Sequence, residues 1–250
     1  MSDIVTEQIG NILSIQLNRP AKKNAMTSSM YITMANLLNG AAKDDQIRVV
    51  LWHGAGTSFS AGNDIEDFMK NPPGPGESPQ SQLIHAFINF EKPLIAAVQG
   101  AAIGGGTTML AHCDFVYAGE SAKFQLPFVN LALVPEFGSS YLLPLRFGYV
   151  RAAELILLGK PFDALQAAAL GLVTQVVPDQ SLLSTATETA RDLAAKPAAA
   201  VQASKRLMKQ ALLEQLEQAV KLENEVFAER VRSDDAKQAF TAFFAKRQPA

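Results

Sequence analysis

Apolar positions along this chain fall in short runs whose period switches between two and roughly three and a half. Ile4–Ile9 and Ile12–Leu17 alternate in part and are separated by Gly10-Asn11, which predicts a β-hairpin. Residues 27–42 place Met30, Met34, Leu37, Leu38 and Ala41 on one face, a helix with Thr27 as its N-cap. Residues 47–53 are apolar except for Arg48 and the terminal His53, as in a strand covered on both faces. A glycine- and serine-rich loop (54–62) and a short helix from Asp64 follow. Residues 71–80 hold four prolines and two glycines and read as a surface loop. Beyond it the pattern predicts a helix over 83–90, a strand over Leu94–Val98 and a helix opened by Gly104-Gly-Gly106 that runs to His112. Strands over 114–118 and Lys123–Gln125 come next, then helical pieces at 137–141, 150–158 and 164–170 and a short strand at 173–177. From Ser181 the pattern is helical throughout: 182–195, 198–212, 215–230 and Asp234–Ala245, the last started by Ser233 and two acids. Strands alternating with helices and then helices alone predict an α/β body over residues 1–195 and a helical region over 196–250.

The 250 residues suffice for one large domain with an appendage. Lys plus Arg is 22 against 24 for Asp plus Glu, a net charge of −2 that offers neither nucleic acid nor an anionic membrane a basic surface. Mean hydropathy of +0.07 and 8% aromatic residues exclude disorder over most of the length. Cys113 is the single cysteine and has no internal disulfide partner. The first 20 residues contain no apolar run of the secretory kind. The uncharged stretch 93–113 is broken by Gln99, His112 and a glycine cluster, so it reads as a buried strand and helix rather than a membrane span. A cytoplasmic enzyme is the expectation.

Several site types are ruled out by spacing. After Gly54-Ala-Gly56 the third glycine of a dinucleotide fingerprint would fall at Phe59, and no G-x-x-x-x-G-K-[ST] occurs. Three His and one Cys give no metal-binding spacing. His112 and Cys113 are adjacent and, on a helix, do not face one another, which makes them core residues. The nucleophile elbow of serine hydrolases is absent.

Two loops remain, each following a buried strand: residues 58–64 and 99–106. Their backbone N–H groups suit an anionic oxygen, and two such loops side by side would make an oxyanion hole. Tight turns and close packing account for the glycines equally well at this stage.

Phe59-Ser-Ala-Gly-Asn-Asp64 resembles the F-[SC]-A-G-x-D loop of the enoyl-CoA hydratase/isomerase (crotonase) superfamily. Lys92-Pro-Leu-Ile-Ala-Ala-Val-Gln-Gly-Ala-Ala-Ile-Gly-Gly-Gly106 is similar to its K-P-x-I-A-A-x-x-G-x-x-x-G-G-G segment. Asn18-Arg-Pro with Asn24-Ala25-Met26, the Cys113-Asp114 strand, and the blocks at 158–164 and 169–173 match further family motifs in the same order. The resemblance implies a spiral of β-β-α units ending in a helical trimerisation region. It implies an acyl-CoA substrate, coenzyme A being part of that substrate and not a separate cofactor. The oxyanion donors carry over to the N–H groups of Ala61 and Gly105. Lys22 or Lys23 falls where the family contacts the CoA phosphates, although surface lysines are commonly just solvated. Ser60, Gly62, Asn63 and Asp64 fall in the adenine-binding loop, and Ala25, Ile65 and Phe128 complete the implied substrate site. Asp64 reads as supporting the loop and Glu66 as solvated. Phe240, Phe243, Phe244 and Lys246 fall where the family closes the acyl pocket or the trimer contact.

Family hydratases carry two glutamates, at positions that are Thr108 and Phe128 here; neither accepts a proton at neutral pH. Glu136, the sole charged residue between Lys123 and Arg146, sits in a block similar to the P-E-x-x-S-S-Y pattern of peroxisomal-type Δ3,Δ2-enoyl-CoA isomerases, where that Glu is the base. The alternative is an acid that serves only the following helix N-terminus. The expected activity is Δ3,Δ2-enoyl-CoA isomerisation, with hydration, another acyl-CoA reaction or a non-catalytic CoA-binding scaffold as alternatives. An apolar stripe on Leu207, Leu212, Leu213, Leu216 and Val220 adds an expectation of a homotrimer or dimer of trimers.

Overall fold

A computed structural model describes residues 2–74 and 78–245; Lys246 lies outside the described residues. The chain opens with β1 (Ile4–Ile9) and β2 (Ile12–Leu17), paired antiparallel through a turn at Gly10 and Asn11. Then come α1 (Ser28–Lys43), β3 (Val49–Gly54), α2 (Ile65–Lys70), α3 (Pro79–Asn89), β4 (Leu94–Val98), β5 (Ala101–Ile103) and α4 (Gly105–Thr108). The chain continues through β6 (Phe115–Gly119), β7 (Lys123–Gln125), α5 (Ser139–Phe147), α6 (Tyr149–Leu158), β8 (Phe162–Asp163), α7 (Ala164–Ala169) and β9 (Gln175–Val177). It ends in α8 (Leu182–Ala194), α9 (Ala198–Gln210), α10 (Leu213–Arg230) and α11 (Asp234–Ala245).

Six strands form one sheet in the order β1-β2-β3-β4-β6-β9, parallel beyond the hairpin; β5-β7-β8 form a second, small sheet. The chain therefore steps from the large sheet to the small one and back, which is the β-β-α spiral. Both faces of the large sheet are covered, as its near-continuous apolar strands require. Val50 and Trp52 face the main core under α1 and α3, while Val49 and Leu51 face a second cluster with Leu182, Ala186 and Ala190 of α8.

Several features differ from the sequence pattern, among them β8, a strand where none was expected. The residues directly after Gly100 form β5, paired with β7, where no strand was expected. The helix expected at 137–141 begins at Ser139, because Phe137 and Gly138 both have left-handed backbone (φ 62° and 67°), and it continues across Pro144. The expected oligomer stripe is divided: Leu216 and Val220 are buried against Gly138, Leu212 and Leu213 are half-buried, and Leu207 is exposed.

Candidate active site

Three segments lie side by side next to the small sheet. Asn24 is buried and ties the first to the second: its Nδ2 donates to Ala55 O and Ser58 O, and its Oδ1 accepts from Arg19 N. Met26 and Asn63 form a parallel bridge, and so do Ser60 and Ala102. The loop of residues 58–64 is thus held between the Asn24–Met26 strand and β5. A Cβ added to Gly62 would lie 3.7 Å from Gly105 N, so the two glycine-containing loops meet.

Hydrogen bonding within these loops corrects two expectations. The Ala61 N–H donates to Lys23 O at 2.8 Å, so it is not free to hold an oxyanion. Ser60 is fully buried and outside the cavity, its Oγ donating to Asn24 O and accepting from Gly62 N, so it does not touch a ligand there. Among the described residues, the N–H groups of Asn63 and Gly105 have no protein acceptor.

A cavity of about 260 Å³ opens over these loops. Its lining combines residues of the Lys22–Ala25 and Ala61–Glu66 segments with the apolar side chains Phe68, Phe128, Leu131, Leu133, Phe227, Phe243 and Phe244. Asp64 faces away toward Arg19 (2.9 Å) and caps α2 through Asp67 N. Burial raises its carboxyl, but the Arg19 and Asp67 hydrogen bonds outweigh that and hold it below its usual range. It supports the loop as an ionised group and is poorly suited to take a proton.

Glu136 stands behind the cavity wall at Gly105. It is 5% exposed, and its Oε1 would lie 2.8 Å from a Cβ on Gly105. The absence of a side chain at Gly105 is what allows this approach. Asn63 Nδ2 reaches Glu136 Oε1 at 3.4 Å, and Tyr31 Oη donates to Asn63 Oδ1 at 2.8 Å, which fixes the Asn63 amide between them. Burial first and the nearby Glu223 second push the Glu136 carboxyl up to about 8, against the opposing effect of the Asn63 hydrogen bond. Burial likewise keeps the Tyr31 phenol neutral, well above its usual range.

The reading of Glu136 as a mere helix-terminus acid fails on partners. At the start of α5 the Gly138 and Ser140 N–H groups are taken by Glu223, from α10, at 2.6 and 2.7 Å. Glu136 contributes only its main-chain carbonyl there, accepting from Ser139 N.

The enoyl-CoA hydratase/isomerase family profile matches residues 7–250. The chain belongs to this family. It is 36% identical to human enoyl-CoA delta isomerase 2, over 98% of this chain and 63% of that protein's length. It is also 36% identical to enoyl-CoA hydratase EchA19 of Mycobacterium tuberculosis, over 99% of this chain and 95% of that protein. The solved structure of Pseudomonas aeruginosa OdaA superimposes with a TM-score of 0.95 at 43% identity, covering 97% of this chain and 99% of that one. The architecture is the crotonase fold with a C-terminal helical region, and the family context is acyl-CoA metabolism.

Thr108 and Phe128, where the resemblance places the hydratase acids, carry no acid. Thr108 is fully buried with its hydroxyl on Gly104 O, and Phe128 lines the cavity. His112 and Cys113 are core groups. Burial pulls the His112 imidazole down to about 3, its Nε2 donating to Phe137 O at 2.7 Å, and pushes the Cys113 thiol up to about 12. Among the described residues no cluster of three or more His, Cys, Asp or Glu is arranged for a metal, and no helix is long and apolar enough to cross a membrane. Sequence reasoning missed the free Asn63 N–H, Tyr31 and Glu223. Tyr31 follows the Asn24-Ala25-Met26 motif by five residues but lies on the helix after it, Glu223 lies far from every motif, and the Asn63 amide stands out only once the Ala61 amide is seen to be taken.

Proposed function

We propose that this chain is a Δ3,Δ2-enoyl-CoA isomerase, and that Glu136 is its one acid–base group. The observation that carries the reading is the buried Glu136 carboxylate, of raised proton affinity, beside the unpaired Gly105 N–H, with Thr108 and Phe128 where the resemblance places the other acids. The thioester carbonyl of a 3-enoyl-CoA accepts hydrogen bonds from the Asn63 and Gly105 N–H groups. Glu136 takes a proton from C2, and the electron pair delocalises over C2–C4 and the thioester oxygen as a dienolate. The two N–H donors stabilise that oxygen, an effect worth ~3–4 kcal/mol per well-placed donor. Glu136 then returns the proton to C4, which restores its charge and leaves the double bond at C2–C3. One group suffices, since donor and acceptor carbons lie on one face of a planar intermediate.

Lys22 and Lys23 line the cavity, where either would meet the CoA phosphates. The phenylalanine-rich lining suits an acyl chain. A trimer or dimer of trimers fits the outward apolar side chains Val150, Leu157, Leu165, Leu207 and Met208. Light scattering giving a 26.9 kDa monomer would contradict that assembly.

Hydration demands that water be both positioned and deprotonated, and Glu136 alone would have to do this while protonating C2. The product formed from 3-hexenoyl-CoA, with crotonyl-CoA hydration assayed alongside, tests the reading. Isomerisation should exceed hydration by ~10² or more. Faster hydration would overturn it.

A further inference from the structure

Helix α10 presses on the turn that carries Glu136. Leu216, Val220, Glu223 and Phe227 are all buried and lie along one side of the helix. Leu216 and Val220 pack where a side chain on Gly138 would be. Glu223 completes the contact from an 85-residue separation, Oε2 accepting the Gly138 N–H and Oε1 the Ser140 N–H. These N–H groups open α5 and have no intrahelical acceptor, so a carboxylate is favoured there both as hydrogen-bond acceptor and as charge. The turn needs the support, because Phe137 holds a left-handed backbone that a bulky side chain disfavours.

We propose that Glu223 is a positioning residue for Glu136: from α10 it clamps the turn that aims the base. This rests on Glu136 being the base. The groups facing Glu136 are few. Tyr31 from α1 is neutral, Asn63 from the 58–64 loop is an uncharged donor, and Glu223 from α10 is a second carboxyl, raised by burial against the lowering effect of its Ser140 and Gly138 hydrogen bonds; among the described residues Glu136 forms no ion pair. Burial and then the Glu223 charge raise the Glu136 carboxyl. The same acid thus fixes the geometry of the active carboxylate.

The test is the pH profile of kcat/KM for 3-hexenoyl-CoA isomerisation in wild type, Glu223→Gln and Glu223→Asp, with melting temperature and acyl-CoA affinity followed in parallel. A base must be ionised, so wild-type activity should rise with pH through about 8. Glu223→Gln removes the charge and one acceptor. Its midpoint should move down by about half a unit or more, and its plateau kcat should fall about tenfold or more with little change in affinity. Glu223→Asp keeps the charge but draws it back toward α10, so a smaller downward shift is expected with a similar plateau loss. If the Gln variant does not fold, the Asp variant carries the test. A wild-type plateau kcat in the folded variants, whatever the midpoint, overturns the inference and leaves Glu223 a structural cap. Normal isomerisation by Glu136→Gln would instead sink the base assignment on which it rests.

Discussion

Gly105→Ala adds one methyl group at the point where the main chain, the base and the cavity meet. The new Cβ would lie 2.8 Å from Glu136 Oε1, 3.0 Å from Tyr31 Oη and 3.3 Å from Met26 Cε. Ordinary contact begins at 3.4 Å, so the carboxylate must retreat from 2.8 Å by about 0.6 Å and the phenol from 3.0 Å by about 0.4 Å. Glu136 is the end of a flexible chain and yields first; Tyr31 is locked by Asn63 and by its packing near Phe137. The Gly105 N–H survives, and so does its part in carbonyl binding. Overpacking should cost ~1–3 kcal/mol of stability. A misplacement approaching 1 Å between base and reacting carbon costs up to ~10² in rate, so kcat for isomerisation should fall about tenfold to a hundredfold. Affinity for a non-reactive acyl-CoA should stay within about threefold. Stopped-flow turnover and calorimetric binding on the same folded preparation separate the two effects. A folded Gly105→Ala enzyme with wild-type kcat would refute the claim that Glu136 works from behind this glycine.

Other consequences follow from burial. The Glu136 carboxyl sits near 8 in the fold and near 4.5 when unfolded, so the folded state holds an extra proton between those values. Its contribution to stability is intact below 4.5 and is lost as pH rises through about 8. Glu136→Gln should therefore be more stable than wild type at pH 9, by ~2–4 kcal/mol in urea titrations, with the gain vanishing near pH 4. A constant difference across that range would contradict the buried-acid account. Cys113 should resist thiol reagents at pH 8 until the protein unfolds, since burial keeps it protonated; rapid labelling of the native protein would show an opening that the fold does not contain.

Much of the fold was legible because its signals are local. The hairpin around Gly10, Thr27 as an N-cap and the last helix from Asp234 each depend on residues within one turn of one another. β5 was hidden because three residues after Gly100 carry no period of their own and become a strand only by pairing with β7. The start of α5 was misplaced because left-handed backbone at Phe137 is imposed by its packing and by His112, not by its own preference. In the site, Glu136 and Gly105 were readable from the block pattern, but which amides are free was not. That depends on Lys23 O reaching the Ala61 N–H across a loop crossing. Glu223 was invisible for the same reason: its partners are two main-chain N–H groups on another element, a contact with no sequence motif.

Glu136→Gln tests the central claim most directly. The substitution preserves size and the contact with Asn63 but cannot accept a proton at neutral pH. With 3-hexenoyl-CoA as substrate, kcat should fall by ~10²–10⁴ while acyl-CoA affinity stays within a few-fold of wild type. Isomerisation at the wild-type rate by the folded variant would contradict the account, and would move the search for the base to Glu66 on the cavity wall.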